Sequence, residues 1–363
     1  MENNIYNFYK DISTRHTLKD ISISLGVNKG TIKRWELLKE VPPQYYFDLC
    51  RLDNIQVDYE KYTEKEKDQF FTNKDTAKYC YEKSLQVLSD WGVDLSDYTF
   101  IEPSAGDGSF YSLFPKDRRI GIDIEPKYDG VIQSDFLLWK PTTIKNICIG
   151  NPPFGLRGNL ALKFINYGAE FSDFVCFVLP QLFDSEGKGS CKSRVKGLNL
   201  IHNEIIDSSF YYPSGKNVDV NVVFQIWSKY HKIEEENINL SNILKVYSLS
   251  DGGTPGSTRN KKHLYNCDYY LPSTCFGSDT MKVYDDFEKL PHRRGYGIIV
   301  SNYKDTIENI MNEIKWSEVA FSSTNGASNL RFDIIEKTIW KNLPETVKEV
   351  SQKVSTPLTE LLY

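Results

Sequence analysis

Between Thr99 and Trp227 the chain repeatedly spells a short apolar run that stops on an acid, a glycine or a proline. The runs are TFIEP, RIGIDIEP, NICIGNPP and FVCFVLP, followed by VDVNVVFQIW. Runs this short, punctuated by turn residues and separated by longer mixed stretches, specify strands alternating with helical segments. That alternation predicts an α/β fold, a largely parallel sheet with helices on both faces. In open sheets of this kind ligands bind outside the carboxyl ends of the strands. The residues that break the runs therefore stand where chemistry is done.

Composition removes several alternatives. No apolar run approaches the ~20 residues of a membrane span, and MENNIYNFYK lacks the charged-then-apolar layout of a signal peptide, so a cytoplasmic protein is expected. The seven cysteines are scattered, with no CxxC pair and no His at metal spacing, which argues against both a disulfide framework and a metal site. A net charge of -5 says less about nucleic-acid binding than the placement of the charges does. Nothing in the sequence demands a stable oligomer, and a monomer or weak dimer is expected.

Texture divides the chain into three: residues 1–60, 61–230 and 231–363. In the first, RHTLKDISISLGVNKGTIKRWELLK reads as two short helices joined at Gly26, with Leu18, Ile21, Leu25, Val27, Ile32 and Trp35 toward a core. Asn28 is placed to cap the second helix, whose polar side carries Lys29, Lys33 and Arg34. This segment resembles the helix-turn-helix of phage-repressor-like proteins. The competing reading is a small helical bundle that packs on the next domain without touching DNA. The last region is mixed, with a basic loop at DGGTPGSTRNKKH.

IEPSAGDGSFY is a strand end, a glycine turn and the expected start of a helix. It lacks the GK[ST] of a phosphate loop and the third glycine of a dinucleotide fingerprint. Glu102 and Asp107 flank the turn instead, where they repel phosphate and favour a cationic ligand. S-adenosylmethionine, with a sulfonium, an amino group and no phosphate, meets that requirement. Asp123, ending the next strand, is placed to accept from ribose hydroxyls. Asp135 in QSDFLLW is an acceptor for the adenine amine, and Phe136 a wall for its ring.

These stretches together, EPSAGDGSF, GIDIEP, SDFLLW and GNPPF, resemble the cofactor and catalytic motifs of DNA adenine-N6 methyltransferases. QFFTNKDTAKYC, lying before the glycine loop, resembles a further cofactor motif of the same family, and this order is similar to the gamma group. The resemblance covers about Gln69 to Ser228. It implies a Rossmann-like methyltransferase sheet and a mixed C-terminal target-recognition region, to which the repressor-like segment adds an N-terminal helix-turn-helix module. It implies S-adenosylmethionine held by Phe71, Thr72, Glu102, Ser104, Ala105, Gly106, Gly108, Asp123, Ile124, Asp135, Phe136 and Asn151. It also implies duplex DNA as partner, in a restriction-modification or phage setting, with the target base flipped out.

The prolines of NPPF have a chemical purpose in such a site. Adenine's exocyclic amine is a poor nucleophile because its lone pair is delocalised into the ring. If the Asn151 side-chain oxygen and the Pro152 carbonyl each accept one N–H, the nitrogen moves toward tetrahedral geometry and its lone pair is localised. Pro152 and Pro153 hold φ near about −65° and remove competing donors. Phe154 is placed to stack on the flipped base, with Val222 or Phe224 as a second wall. FVLPQLF resembles the family's cleft-lining segment. Lys188, Lys192, Arg194 and Lys196 after it, with Arg259, Lys261 and Lys262 and then Arg293 with Arg294, are candidate contacts to the phosphate backbone. Rival readings are transfer to RNA adenine, to a protein glutamine or to cytosine N4, and a helix-turn-helix regulator whose cofactor domain only binds.

Overall fold

The computed structural model describes residues 2–67, 69–185, 190–207, 209–218, 220–233, 238–249, 266–276, 280–286, 290, 294–322 and 327–353. The chain forms two compact units, one of residues 1–180 with 195–231 and one of residues 181–194 with 232–363.

The first unit is built on seven strands, β1 (Thr99–Glu102), β2 (Arg119–Asp123), β3 (Ile132–Gln133), β4 (Asn146–Gly150), β5 (Phe174–Pro180), β6 (Asn199–Ile206) and β7 (Val222–Ser228). Their spatial order is β3-β2-β1-β4-β5-β7-β6. The first five are parallel, and β7 runs antiparallel between β5 and β6. This is a Rossmann-like sheet closed by an antiparallel strand. The order reverses at β1, so the crevice outside the carboxyl ends of β1, β2 and β4 is the switch point where a ligand fits. β4 and β5 are buried along their whole length, which is why NICIG and FVCFVLP read as continuous apolar runs.

The expected helices between strands are only partly present. α5 (Lys74–Asp90) precedes β1 and α6 (Asn159–Phe171) crosses from β4 to β5. The expected helix after the glycine turn is a single 3₁₀ turn, Tyr111–Leu113, and SDFLLW contributes another, Phe136–Leu138. Two left-handed glycines and Pro115 leave the first connection too few residues to propagate a helix. A small antiparallel ribbon pairs Phe71–Thr72 with Phe210–Tyr211.

The N-terminal helices α1 (Glu2–Ile12), α2 (Leu18–Ser24), α3 (Lys29–Leu38) and α4 (Tyr46–Leu52) belong to this same unit. Thr17 and Asp20 form a capping box on α2, and Asn28 Oδ1 accepts the Thr31 N–H at 2.8 Å to start α3. Ile21, Leu25, Ile32 and Trp35 pack with Tyr9, Ile12, Tyr45 and Leu49, with Leu18 and Val27 at the edge of that core. The module is fastened to the sheet by charge: Asp48 accepts from Lys163 of α6 at 2.5 Å, and Arg51 donates to Asp135 at 2.8 Å.

The second unit has its own core around Trp316, Trp340 and Met311. Its antiparallel sheet places Gly295–Val300 between Leu244–Leu249 and Tyr269–Pro272. All seven cysteines are buried thiols. Among the described residues no helix is long and apolar enough to cross a membrane, and no group of three His, Cys, Asp or Glu side chains could hold a metal.

Candidate active site

The glycine loop after β1 is folded by its backbone. Ala105 N–H reaches the Ile122 carbonyl at 2.9 Å, Gly106 N–H reaches Asp123 Oδ2 at 2.8 Å, and Lys127 N–H returns to the Gly106 carbonyl at 3.0 Å. Gly106 has φ +48°, and a Cβ there would come within 2.8 Å of the Phe71 ring. Glycine is thus required twice, by conformation and by the aromatic that covers the loop.

Glu102 does not line the crevice as expected. It is 2% exposed, and its carboxyl accepts the Tyr111 N–H, so it braces the loop from behind. Burial pushes its pKa well above the carboxylate range, which weakens its expected part as a negative charge offered to a cation. Asp107 is likewise occupied, accepting from Ser109 Oγ and from the Tyr211 hydroxyl.

Asp123 does line the crevice. Its Oδ1 accepts the Glu125 N–H at 2.7 Å and its Oδ2 the Gly106 N–H, which leaves lone pairs on both oxygens for a ligand's hydroxyls. Burial raises its pKa against the pull of those two N–H groups. Beside it, Lys67 and Glu125 form a largely buried ion pair at 2.7 Å.

At the end of β4 the NPPF segment is held from three sides. Ser104 Oγ donates to the Asn151 carbonyl at 2.9 Å, and Asn151 Nδ2 donates to Thr72 Oγ1 at 3.1 Å. The N–H groups of Leu160 and Ala161, opening α6, reach the Phe154 carbonyl at 3.2 Å. With its nitrogen fixed, Asn151 presents Oδ1, which is buried and has no partner among the described residues. An unpaired buried acceptor costs about 1–3 kcal/mol, a cost a fold retains where a ligand will satisfy it. Thr72 touches Asn151 through its hydroxyl.

Phe154 is 7% exposed, 5.1 Å from Phe70 at a steep angle, and Phe70 is 5.4 Å from Phe210. Sequence reasoning missed Phe70 and Phe210. The signal was the doublet Phe70-Phe71, but only the ribbon pairing decides which ring faces Phe154. Val222 and Phe224, the expected second wall, are interior residues of β7, paired with Pro180 and Val178.

Two cavities meet at Ile124 and Glu125. The smaller, ≈ 80 Å³, is lined by Ser104, Gly106, Asp123, Asn151, Pro152 and Pro153 among others. The larger, ≈ 840 Å³, extends past Ser134, Asp135 and Leu138. Asp135 Oδ1 accepts the Leu137 N–H and Oδ2 accepts from Arg51. Phe136 does not wall this cavity: it is buried against Phe164, Tyr167 and Phe171, and Leu138 is the residue of that turn exposed there. The combined cleft offers carboxylate acceptors at Asp123 and Asp135 with an apolar residue between them at Ile124, a concave site with a few placed polar groups of the kind that binds a small molecule.

Of the candidate DNA contacts, Lys29, Lys33 and Arg34 are exposed on α3. Lys192 and Arg194 form a 3₁₀ turn in the second unit, where Arg194 donates to the Ser190 carbonyl. FVLPQLF divides at Pro180: the strand part is sheet interior and residues 181–183 belong to the second unit. Lys188, Arg259, Lys261, Lys262 and Arg293 lie outside the described residues.

No known protein-family profile matches the chain. It is 34% identical over 70 residues to the Type II methyltransferase M.TthHB8I of Thermus thermophilus, a match that spans 16% of this chain and 16% of that protein. A putative RNA methyltransferase from Pyrococcus horikoshii superposes with a TM-score of 0.33 at 17% identity, covering 44% of this chain and 86% of its own. Magnesium protoporphyrin IX methyltransferase of Synechocystis, with bound S-adenosylmethionine, superposes with a TM-score of 0.28 at 11% identity, covering 48% and 85%. The fold class stands on the strand order itself.

Proposed function

We propose that this protein transfers a methyl group from S-adenosylmethionine to the N6 amine of an adenine flipped out of duplex DNA. The observation that carries the reading is the buried, unpartnered Asn151 Oδ1, held in place by Thr72 at the head of an Asn-Pro-Pro-Phe segment beside the glycine loop. Bound in the cleft, the cofactor supplies an electrophilic methyl on a sulfonium. Asn151 Oδ1 accepts one N–H of the target amine and the Pro152 carbonyl the other, which localises the nitrogen lone pair. Asp123 holds the ribose, and Asp135 the adenine of the cofactor. Phe154, backed by Phe70, stacks on the flipped base. The similarity to a Type II methyltransferase and the exposed cations of α3 favour duplex DNA over RNA.

The test is incubation of the full chain with labelled S-adenosylmethionine and separate unmodified plasmid, RNA and protein fractions, with the modified base mapped by sequencing. N6-methyladenine in plasmid at a recurring short sequence is expected. Label confined to RNA or protein, or no label with cofactor bound, would overturn the reading.

A further inference from the structure

The larger cavity has a wall that the methyltransferase sheet does not supply. One side is Ile124, Asp135 and Leu138; the other is Arg51, Ile55 and Gln56, from the end of α4 and the segment after it. We propose that residues 51–60 of the N-terminal module form the outer wall of the cofactor's adenosine subsite, with Arg51 as the positioning residue that fixes Asp135. The inference rests on the function proposed above and adds that the module, besides any grip on DNA, is part of the cofactor site.

Three observations converge. The first is the anchoring of Asp135: Leu137 N–H holds one oxygen at 2.9 Å and Arg51 Nε the other at 2.8 Å, so the carboxylate is fixed while each oxygen keeps a lone pair for a purine amine. The second is the network behind it. Arg51 also donates to Asp48 at 3.2 Å, and Asp48 accepts from Lys163 at 2.5 Å, so two carboxylates and two cations balance across the join between module and sheet. Arg51 is thereby tied at both ends and cannot leave Asp135 without exposing a buried charge. The third is apolar surface. Ile55 is 38% exposed and Leu138 67% exposed, and both line the same cavity. A flat purine is the occupant that covers both while its amine meets a fixed carboxylate. The polar recess at Asp123 and Asn151 adjoins through Ile124 and Glu125, which makes the cavity an extension of the cofactor cleft.

The experiment is calorimetric titration of the full-length protein with S-adenosylhomocysteine, which reads binding without turnover. The variants are Arg51→Met, Ile55→Ser and, as a control inside the cleft, Asp123→Ala. Ile55→Ser leaves the ion network intact, so it stays informative if Arg51→Met folds poorly. A loss of about fivefold or more in affinity for Ile55→Ser, with its unfolding temperature in the absence of ligand unchanged, is expected, and a larger loss for Arg51→Met. Parent and Ile55→Ser binding alike, while Asp123→Ala loses binding, would overturn the inference and leave the proposed function standing. A parent that does not bind S-adenosylhomocysteine would overturn both.

Discussion

Thr72→Val isolates the orientation of Asn151 from everything else in the site. Valine keeps the shape of threonine, and the Ser109 bond to residue 72 goes to its backbone carbonyl, so the packing and the loop contact survive. What disappears is the acceptor for Asn151 Nδ2 at 3.1 Å. The bond itself is worth about 0.5–1.5 kcal/mol, and the stranded NH₂ group costs about 1–3 kcal/mol in a buried setting. The amide can escape that cost by rotating about its Cβ–Cγ axis, which turns a donor toward the substrate amine where an acceptor is needed. The barrier should rise by about 1–3 kcal/mol, or roughly 5- to 150-fold in rate. Full removal of the acceptor by Asn151→Ala sets the upper bound, about 2.7–4 kcal/mol for one positioned group. Single-turnover methylation with saturating cofactor is the assay, beside S-adenosylhomocysteine affinity. The rate should fall while affinity holds, and Thr72→Ser, which keeps the hydroxyl, should recover most of the rate. If Thr72→Val weakens cofactor binding as much as it slows transfer, or if serine is no better than valine, Thr72 does not orient Asn151.

Asp123 is expected to make cofactor affinity pH-dependent. Its burial raises its folded pKa and the ligand's hydroxyls need the ionised form, so affinity is full above that raised pKa and lost as pH falls through it; titration of Asp123→Asn should give weaker and flatter binding, and a parent-like slope in that variant would refute the assignment. Gly106→Ala places a Cβ within 2.8 Å of Phe71 at φ +48°, a strain of about 1–3 kcal/mol, so S-adenosylhomocysteine affinity should drop; parent-like affinity would mean that the loop does not bind the ligand. Replacing Lys29, Lys33 and Arg34 together with Ala should flatten the salt dependence of DNA binding by up to about one unit of log-log slope per lost phosphate contact, read by titration at low and high salt. Unchanged affinity at both would remove α3 from the DNA interface.

The local chemistry of the site was legible because it sits at strand ends, where composition changes abruptly. Asn151, Pro152, Gly106 and Asp123 could be named from single breaks in apolar runs. Direction was harder to read than identity. In SDFLLW the aromatic was the natural choice for a wall, yet the 3₁₀ turn sends Phe136 into the rings of α6 and leaves Leu138 outside. Glu102 closes a strand whose last three residues are all buried, so its charge carried no information about which way it faced. The strand order was out of reach for another reason. The placement of β7 between β5 and β6 depends on Val222–Ser228 pairing with Phe174–Pro180 across the intervening β6, and nothing local to either strand marks that non-sequential pairing.

The N-terminal module shows why a charge on a short helix is hard to interpret. Asp48 and Arg51 find their partners Lys163 and Asp135 only 115 and 84 positions later, so no local stretch of sequence shows that these charges are paired. Gripping DNA and packing on the sheet looked like rival accounts of this module, but they use different surfaces: α4 faces the sheet through its charges, while Lys29, Lys33 and Arg34 on α3 remain exposed. The two accounts are therefore compatible. It also follows that cutting the chain near residue 60, at the boundary its texture suggests, would strip Arg51 from Asp135 and Asp48 from Lys163 together. If α3 grips DNA and residues 51–60 wall the cofactor subsite, as proposed above, such a truncation would lose both affinities for unrelated reasons. Only substitutions confined to α3, or to residues 51–60, can separate the two effects.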